Sequence, residues 1–400
     1  MILSMTLLYS AIISQDVITP LPEAYQRVNG ARVEVAELFQ QRKNVEALDL
    51  LLDIGKEEPW HTTVKVNTHS LAKLLGRTDI IEDVLANLET MGIAAKQDSP
   101  LMMPVGKAAI AGALAQGRLC ESVYKLDDGD FLVGCVATPG VYRINEDAEA
   151  ELFIPGSRLG GRSVMGLSVD RSNEQVWLSL AQVAQTPDIT DKPTANGWAA
   201  FSLRDGAKIS EITAPDGVTP GDIIVTQSGR VLASNSQAGA LYQLSDGTAE
   251  RVINVDGRAS FQGISEADDG TLYIADYTNG IWQWSGAAVD QARIMVTPYL
   301  LAGIDGLVWH DGALFGIRNG FFPHQVVSYK ITGHKLTQGR VLASNLPEFS
   351  EPTTGVVHDG QLYFIANSQW PIFGEKGVLK TNKKASPTLI LQIDLSEVGE

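Results

Sequence analysis

The chain has 400 residues, 44% of them apolar and 20% charged, with a formal net charge of −16. That composition is ordinary for a folded protein with a sizeable core, and the length leaves room for more than one domain. The acidic balance argues against a phosphate-binding surface, which needs clustered Lys and Arg, so no nucleic-acid partner is expected; it favours clefts that attract cations.

Ile2 to Ile13 form an apolar stretch of signal-peptide length. No Lys or Arg precedes it, and no clear small-x-small cleavage site follows. Residues 1–15 therefore read either as a signal peptide, implying a periplasmic or secreted protein, or as a buried N-terminal strand of a cytoplasmic one. The stretch is too short to span a membrane and no other apolar run reaches about 18 residues, so no transmembrane segment is expected.

From about Leu21 to Gly92 the chain reads as helices. Val33, Val35, Ala36, Leu38 and Phe39 are followed by Val45, Leu48, Leu51 and Leu52 at helical spacing. The segment Phe39-Gln-Gln-Arg42-Lys-Asn44-Val45 resembles Leu74-Leu-Gly-Arg77-Thr-Asp79-Ile80, displaced by 35 residues. A polar cap, Asn44 or Asp79, opens the second helix in each case. The displacement is close to the tetratricopeptide period of about 34, although the Trp-Leu-Gly and Tyr positions of that motif are not evident. Residues 20–95 are expected to form tetratricopeptide-like helical hairpins, either packed as an appendage or offering a surface to a protein partner. Residues 93–118, with Pro100 and Pro104, form a connection.

From Cys120 to the end the chain repeats one pattern six times: an apolar strand, a tight turn, a second apolar strand, then an aromatic-centred strand. The turns read Asp128-Gly129, Asn173-Glu174, Ser228-Gly229, Asp269-Gly270, Asp311-Gly312 and Asp359-Gly360, and their second residues lie 45, 55, 41, 42 and 48 positions apart. A period in the forties with several short strands per unit is the mark of a β-propeller. The expected fold class is mainly β: a six-bladed β-propeller over residues 119–400, preceded by a small α-helical region. Inner strands are expected to begin near Glu121, Met165, Asp222, Gly263, Gly306 and Gly355. Five repeats also carry a fourth strand. The sixth has none, and an open edge is a liability, so residues 105–115 or the apolar N-terminus should pair with the last blade. The Thr-, Pro- and Asp-rich stretch from Gln182 to Asn196 is read as a loop overhanging a face.

Cys120 and Cys135 are the only cysteines, which excludes a disulfide framework and a Cys-rich zinc site. They fall on the first two strands of the first repeat, where a cross-strand bridge is open; two small buried side chains is the simpler reading.

In a propeller blade the starts of first strands and the ends of second strands share one face. Laid in register, the repeats place Glu121, Met165, Gly221, Gln262, Asp305 and Thr354 in an inner ring, with Asp222 adjacent. The second ring holds Thr138, Gln182, Asn235, Asp276-Tyr277, Arg318-Asn319 and Asn367-Ser368-Gln369-Trp370. From this ring Asn235, Asp276, Tyr277, Asn319, Asn367 and Trp370 are expected to contact a small-molecule substrate or ligand. The alternative is that strand-end polar groups only satisfy the backbone. Converging carboxylate and amide oxygens suit a hard cation. His324, in a loop leaving the second ring, is the candidate partner for a carboxylate base.

The phrases Gln262-Gly-Ile-Ser-Glu-Ala-Asp-Asp-Gly270-Thr-Leu-Tyr-Ile-Ala-Asp276 and Asp305-Gly-Leu-Val-Trp-His-Asp-Gly312-Ala-Leu-Phe315 resemble the senescence-marker protein/gluconolactonase (regucalcin-like) family. That group is related to the paraoxonase and strictosidine-synthase propellers. The resemblance covers about 280 residues from Cys120 on and excludes the helical region. It implies a divalent metal, calcium, magnesium, manganese or zinc, held by a first-blade Glu, amides of the third and fourth blades and a fifth-blade Asp. Glu121 and Asp305 match the carboxylates. Gly221 stands where the third-blade amide belongs, with Asp222 beside it, and Gln262 replaces the fourth-blade Asn. The implied metal set is thus Glu121, Gln262 and Asp305, and the implied activity is hydrolysis of a small lactone or ester. The cation would polarise the carbonyl, and Asp305 or Asp222, assisted by His324, would activate water. The alternative is a non-catalytic propeller binding a protein or small ligand, with the helical hairpins as docking surface. No Gly-x-Ser-x-Gly elbow and no phosphate loop opening a helix occurs, so no nucleotide cofactor is expected.

Overall fold

A computed structural model of the chain describes residues 23–57, 62–94, 98–255, 259–286, 292–295 and 301–396. The apolar stretch read as a signal peptide or strand lies outside the described residues.

Four helices come first: α1 Glu23–Gln40, α2 Asn44–Glu57, α3 Thr62–Leu74 and α4 Thr78–Thr90. Ala47, Leu48 and Leu51 on α2 and Ile80, Val84 and Leu88 on α4 recur at helical spacing, so each helix carries one apolar stripe. These stripes are buried together with Val28, Val64 and Leu71. α2 begins at Asn44, but neither expected cap forms. The first intrahelical bond of α2 runs from the Ala47 amide to the Lys43 carbonyl, and Asn44 Oδ1 is buried without a hydrogen-bond partner. Arg77 is the cap residue of α4 and makes no side-chain cap bond. Asp79 sits inside the first turn, pairs with Arg77 at 2.8 Å and faces the positive end of the helix. No described helix is long and apolar enough to cross a membrane.

The remaining described residues form six four-stranded antiparallel sheets, the blades of a β-propeller. Blade one is β2 Cys120–Lys125, β3 Phe131–Cys135, β4 Gly140–Ile144 and β5 Ala150–Pro155. Blade two is β6 Ser163–Asp170, β7 Gln175–Ala181, β8 Gly197–Ser202 and β9 Lys208–Thr213. Blade three is β10 Pro220–Val225, β11 Val231–Asn235, β12 Ala240–Ser245 and β13 Thr248–Asn254. Blade four is β14 Phe261–Glu266, β15 Leu272–Asp276, β16 Gly280–Trp284 and β17 Arg293–Ile294. Blade five is β18 Ile304–His310, β19 Ala313–Arg318, β20 Gln325–Thr332 and β21 Lys335–Ser344. Blade six takes β22 Gly355–His358, β23 Gln361–Ile365 and β24 Thr388–Asp394 from the end of the chain. Its fourth strand is β1 Ala109–Leu114, which pairs antiparallel with β24 in the register Ala113↔Leu389 and Leu114↔Thr388. Of the two segments expected to close the ring, the one at residues 105–115 does so, and the last edge is covered.

Local chemistry explains the hairpins. Asp311 and Gly312 have φ of 45° and 76°, and Asp359 and Gly360 have 48° and 70°. Two left-handed residues in succession make the two-residue turn whose twist matches the flanking strands. In blade two, Glu174 at φ 50° takes the left-handed place that glycine holds in the other repeats. The apolar faces interlock within and between blades. Trp282 lies 6.1 Å from Phe261 inside blade four, and Trp198 of blade two lies 5.8 Å from Tyr242 of blade three; both tryptophans are fully buried. Each large side chain buried this way contributes about 2 kcal/mol.

Cys120 and Cys135 stand opposite each other on β2 and β3 and form a disulfide. This corrects the simpler reading of two unlinked thiols. The in-register cross-strand pairing brings the two sulfurs together, and a loop of 15 residues is closed, for which the chain-entropy model gives about 3 kcal/mol of stabilisation.

The helical unit is anchored to blade five. The Ala94 amide donates to the Phe322 carbonyl at 2.7 Å, and Phe321 packs against the helical core. Val105 and Ser344 exchange two backbone hydrogen bonds at 2.9 Å each, and β1 then leads into blade six.

Candidate functional site

In each of the first five blades the ladder between the inner strand and its neighbour slips by one residue at the ring position. The slip falls between Cys120 and Ser122, Val164 and Gly166, Pro220 and Ile223, Phe261 and Ile264, and Ile304 and Gly306. Such a bulge leaves one residue outside the ladder and re-aims its side chain. Glu121, Met165 and Asp305 are the extra residues in blades one, two and five; in blade three Asp222 lies in the bulge, and in blade four Gln262 does. The glycines that follow keep the inner strands in contact. A Cβ at Gly263 would lie 2.7 Å from the Asp305 carbonyl oxygen, and one at Gly306 2.5 Å from that of Thr353. Blade six joins blade one through Thr353 and Thr354, whose hydroxyls both donate to the Glu121 carbonyl at 2.9 Å.

Four carboxyl groups share this end of the channel: Glu121, Asp222, Asp305 and Glu351. Among the described residues no Lys or Arg forms an ion pair with any of them. Burial and mutual repulsion therefore favour their neutral forms. Burial first, then the charges of Asp305, Glu351 and Asp222, hold the Glu121 carboxyl well above the usual range, against a lowering hydrogen bond from Trp370. Burial raises Asp222 to about 7 despite backbone N–H groups from Ile223 and Ile264. It raises Asp305 to about 6, with the Asn319 hydrogen bond opposing it. Burial and the Asp305 charge bring Glu351 to about 7.

Neighbouring side chains fix these groups. Asn319 Nδ2 donates to Asp305 Oδ2 at 2.7 Å and to the Pro352 carbonyl at 2.9 Å. The Tyr277 hydroxyl donates to Asn319 Oδ1 at 2.8 Å, and burial together with the nearby acids raises its pKa. The indole N–H of Trp370 donates to Glu121 Oε2 at 2.7 Å. Asp222 is held by its amide, which donates to Ser234 Oγ at 2.9 Å. Of the residues expected to contact a ligand, Asn319 and Trp370 thus bond to acids of the cluster, and Tyr277 bonds to Asn319.

Asn235, Asp276 and Asn367 do not. Asn235 Oδ1 accepts the amides of Thr219 and Gln237. Asp276, 0% exposed, accepts the amides of Ser260, Thr278 and Asn279, the Asn279 side-chain amide and the Trp282 indole. Asn367 bridges the Leu389 amide and the Pro387 carbonyl. At the ends of second strands these side chains bind the loop backbone that would otherwise be unsatisfied. His324 is also turned to structure: its Nδ1 accepts the Glu351 amide at 3.1 Å, and burial lowers its pKa to about 4. It stays neutral near pH 7, with no free Nδ1 to act as base.

The implied metal set is not completed. Gly221 offers no side-chain donor where the third-blade amide is implied, while the Gln262 amide is oriented by its Nε2, which donates to Ser260 Oγ at 2.8 Å. Among the described residues, no three His, Cys, Asp or Glu side chains are arranged to hold a metal ion.

Glu351 is the site residue that the repeat register does not reveal. It lies in the loop entering blade six, three residues before Thr354, with φ of 66°, a conformation uncommon outside glycine. Its backbone is clamped: the Ser368 amide and hydroxyl both donate to its carbonyl, at 3.2 and 2.8 Å. Its Oε2 is buried without a hydrogen-bond partner. The only signal in the sequence was an acid close before a ring position.

No family model matches the chain, and no curated protein sequence matches it. Solved structures do. A glucose dehydrogenase is 13% identical, with 72% of this chain and 99% of that one covered and a TM-score of 0.51. A gluconolactonase from Xanthomonas campestris is 14% identical, with 74% and 92% covered and a TM-score of 0.48. Virginiamycin B lyase from Staphylococcus aureus is 15% identical, with 64% and 81% covered and a TM-score of 0.46. At such identities the likeness is one of fold.

Proposed function

We propose that the chain is a hydrolase of a small lactone or ester, working through the carboxyl cluster at the channel mouth. The observation that carries this reading is the placement of Asp222, Asp305 and Glu351 with pKa values of about 7, 6 and 7. Groups poised there both give and take protons at neutral pH, the condition under which general acid–base catalysis is most effective.

Asp305 is the base in this reading: Asn319 orients it, and its lower proton affinity leaves it ionised while its neighbours keep protons. Asp305 takes a proton from water as the water oxygen bonds to the carbonyl carbon. Glu121, held protonated, donates to the developing oxyanion and stabilises it. Collapse of the intermediate re-forms the carbonyl, breaks the bond to the alcohol oxygen and returns the proton from Asp305 to that oxygen. The products are an alcohol and an acid, one molecule when the substrate is a lactone. Tyr277 and Trp370 supply the aromatic walls common to small-molecule sites. The Cys120–Cys135 disulfide supports an oxidising, extracytoplasmic compartment.

The test is turnover of a panel of aldonolactones and aryl esters, with Asp305→Asn lowering kcat by about 10²–10⁴-fold at little change in KM. No turnover by the wild-type chain, or equal turnover by the variant, would reject the reading.

A further inference from the structure

Residues 319–324, between β19 and β20, touch three parts of the molecule at once. At the start of this loop Asn319 holds Asp305 at 2.7 Å. At its end His324 holds the Glu351 amide at 3.1 Å. Between them Phe321 leaves the propeller and packs against the helical core, the cluster that includes Leu48, Leu51 and Val64. The next carbonyl, that of Phe322, accepts the Ala94 amide at the end of the helical unit.

The Phe321 ring also lies against the backbone that leads to Asp305. A Cβ at Gly303 would come within 3.0 Å of that ring and 2.9 Å of the Gly320 Cα. The Gly303 carbonyl accepts the amides of both Asn319 and Gly320 at 3.1 Å, and the Gly303 amide donates to the Tyr277 carbonyl at 2.8 Å. Gly320 in turn lies against the Tyr277 hydroxyl, 3.1 Å from where its Cβ would be. A ring packed against both units transmits displacement, because gaps of even half an ångström forfeit a large share of the contact energy. Six residues, bonded at both ends to acids of the site, leave little slack to absorb it.

We propose that Phe321 is a positioning residue for the acid cluster, and that the helical unit, by gripping its ring, sets the placement of Asp305 and Glu351. The inference rests on that cluster being the working site of the protein. It gives the helical unit a task beyond offering a surface.

The test uses the full chain. Phe321→Ala removes the ring; Leu51→Ala loosens the helical core without touching the loop; Phe321→Leu keeps an apolar side chain in place. Amide hydrogen exchange is followed in peptides carrying residues 303–305 and 349–353, alongside kcat and KM on whichever lactone or ester the chain turns over. Expected are exchange faster by about tenfold or more in both segments for Phe321→Ala and for Leu51→Ala, and restoration by Phe321→Leu. kcat should fall in the two alanine variants with KM little changed. Unchanged exchange at 303–305 and 349–353 while the helices themselves exchange faster would overturn the inference. If Phe321→Ala does not fold, Leu51→Ala and Phe321→Leu decide by the same readout. If the wild-type chain hydrolyses nothing, the hydrolase reading fails, and the exchange data still decide the coupling.

Discussion

Trp370 donates its indole N–H to Glu121 Oε2 at 2.7 Å, joining residues 249 positions apart. The long loop that delivers it, between β23 and β24, crosses blade one and reaches the insertion of blade two. Phe373 pins it, buried against Leu119, Val136 and Ala137. Lys376 ties it beyond, through an ion pair with Asp188 and a hydrogen bond from its backbone N–H to the Ala184 carbonyl. One wall of the channel mouth is therefore supplied by the sixth blade to the first.

Trp370→Phe keeps an aromatic ring in that wall and removes only the donor. Stability should fall by about 1 kcal/mol in urea unfolding. The Trp370 hydrogen bond lowers the proton affinity of Glu121, so its loss should move the alkaline limb of the pH–rate profile upward. An unmoved limb would show that Glu121 is not the acid.

Stability should fall as pH rises through neutrality. Asp222, Asp305 and Glu351 have folded-state pKa values of about 7, 6 and 7 against ordinary values of 3.8, 3.8 and 4.5. The folded chain therefore binds more protons than the unfolded one from about pH 4 to 7, and stability is lost across that window as the acids ionise. His324 acts oppositely. Its pKa is lowered from 6.5 to about 4, so below pH 6.5 it favours unfolding as pH falls. Above pH 6.5 only the acids speak. Calorimetry should give a lower Tm at pH 8 than at pH 6.5, and Asp222→Asn should raise Tm at pH 8 and flatten the slope. A Tm that rises from pH 6.5 to 8 would contradict the burial of ionisable acids here.

Asp276→Asn should unfold more easily without losing its chemistry. The carboxylate accepts five donors, and an amide would turn an N–H₂ group toward some of them. A cost of about 3 kcal/mol is expected, as for other broken buried networks. kcat and KM of the folded fraction should match the wild type; a raised KM would return Asp276 to the site.

That contrast marks where sequence reading works and where it stops. The blades were visible because alternation and Asp-Gly turns are local signals, repeated six times. The inner ring was visible because register carries Glu121 and Asp305 to equivalent positions. Asp276 departs from the expected ligand contact because a carboxylate at a strand end reads the same in sequence whether it faces a ligand or caps its own loop. Glu351 was missed because it lies outside the strand register, and its aim depends on His324 and Ser368 from two other loops. The Cys120–Cys135 bond depends on a one-residue register that alternation alone does not set.

Chelation should leave the protein unaffected. The family pattern implied by the resemblance needs an amide at position 221, and the fold does not admit one without rearrangement. A Cβ at Gly221 would lie 2.8 Å from Ser234 Oγ and 3.2 Å from Ser236 Cβ. Ser234 cannot give way cheaply, since its hydroxyl receives the Asp222 amide. Gln262, at the next position, is bonded to Ser260, whose own hydroxyl donates to the Ser236 carbonyl at 2.8 Å. The third-blade donor is thus lost to packing rather than to a single exchange of side chains. Dialysis against EDTA should change Tm by less than about 1 °C and leave hydrolysis at its original rate, because ligand loss shifts stability only where binding was specific. A large fall in Tm, or activity restored by one particular divalent ion, would mean that Glu121 and Asp305 hold a metal despite the incomplete set.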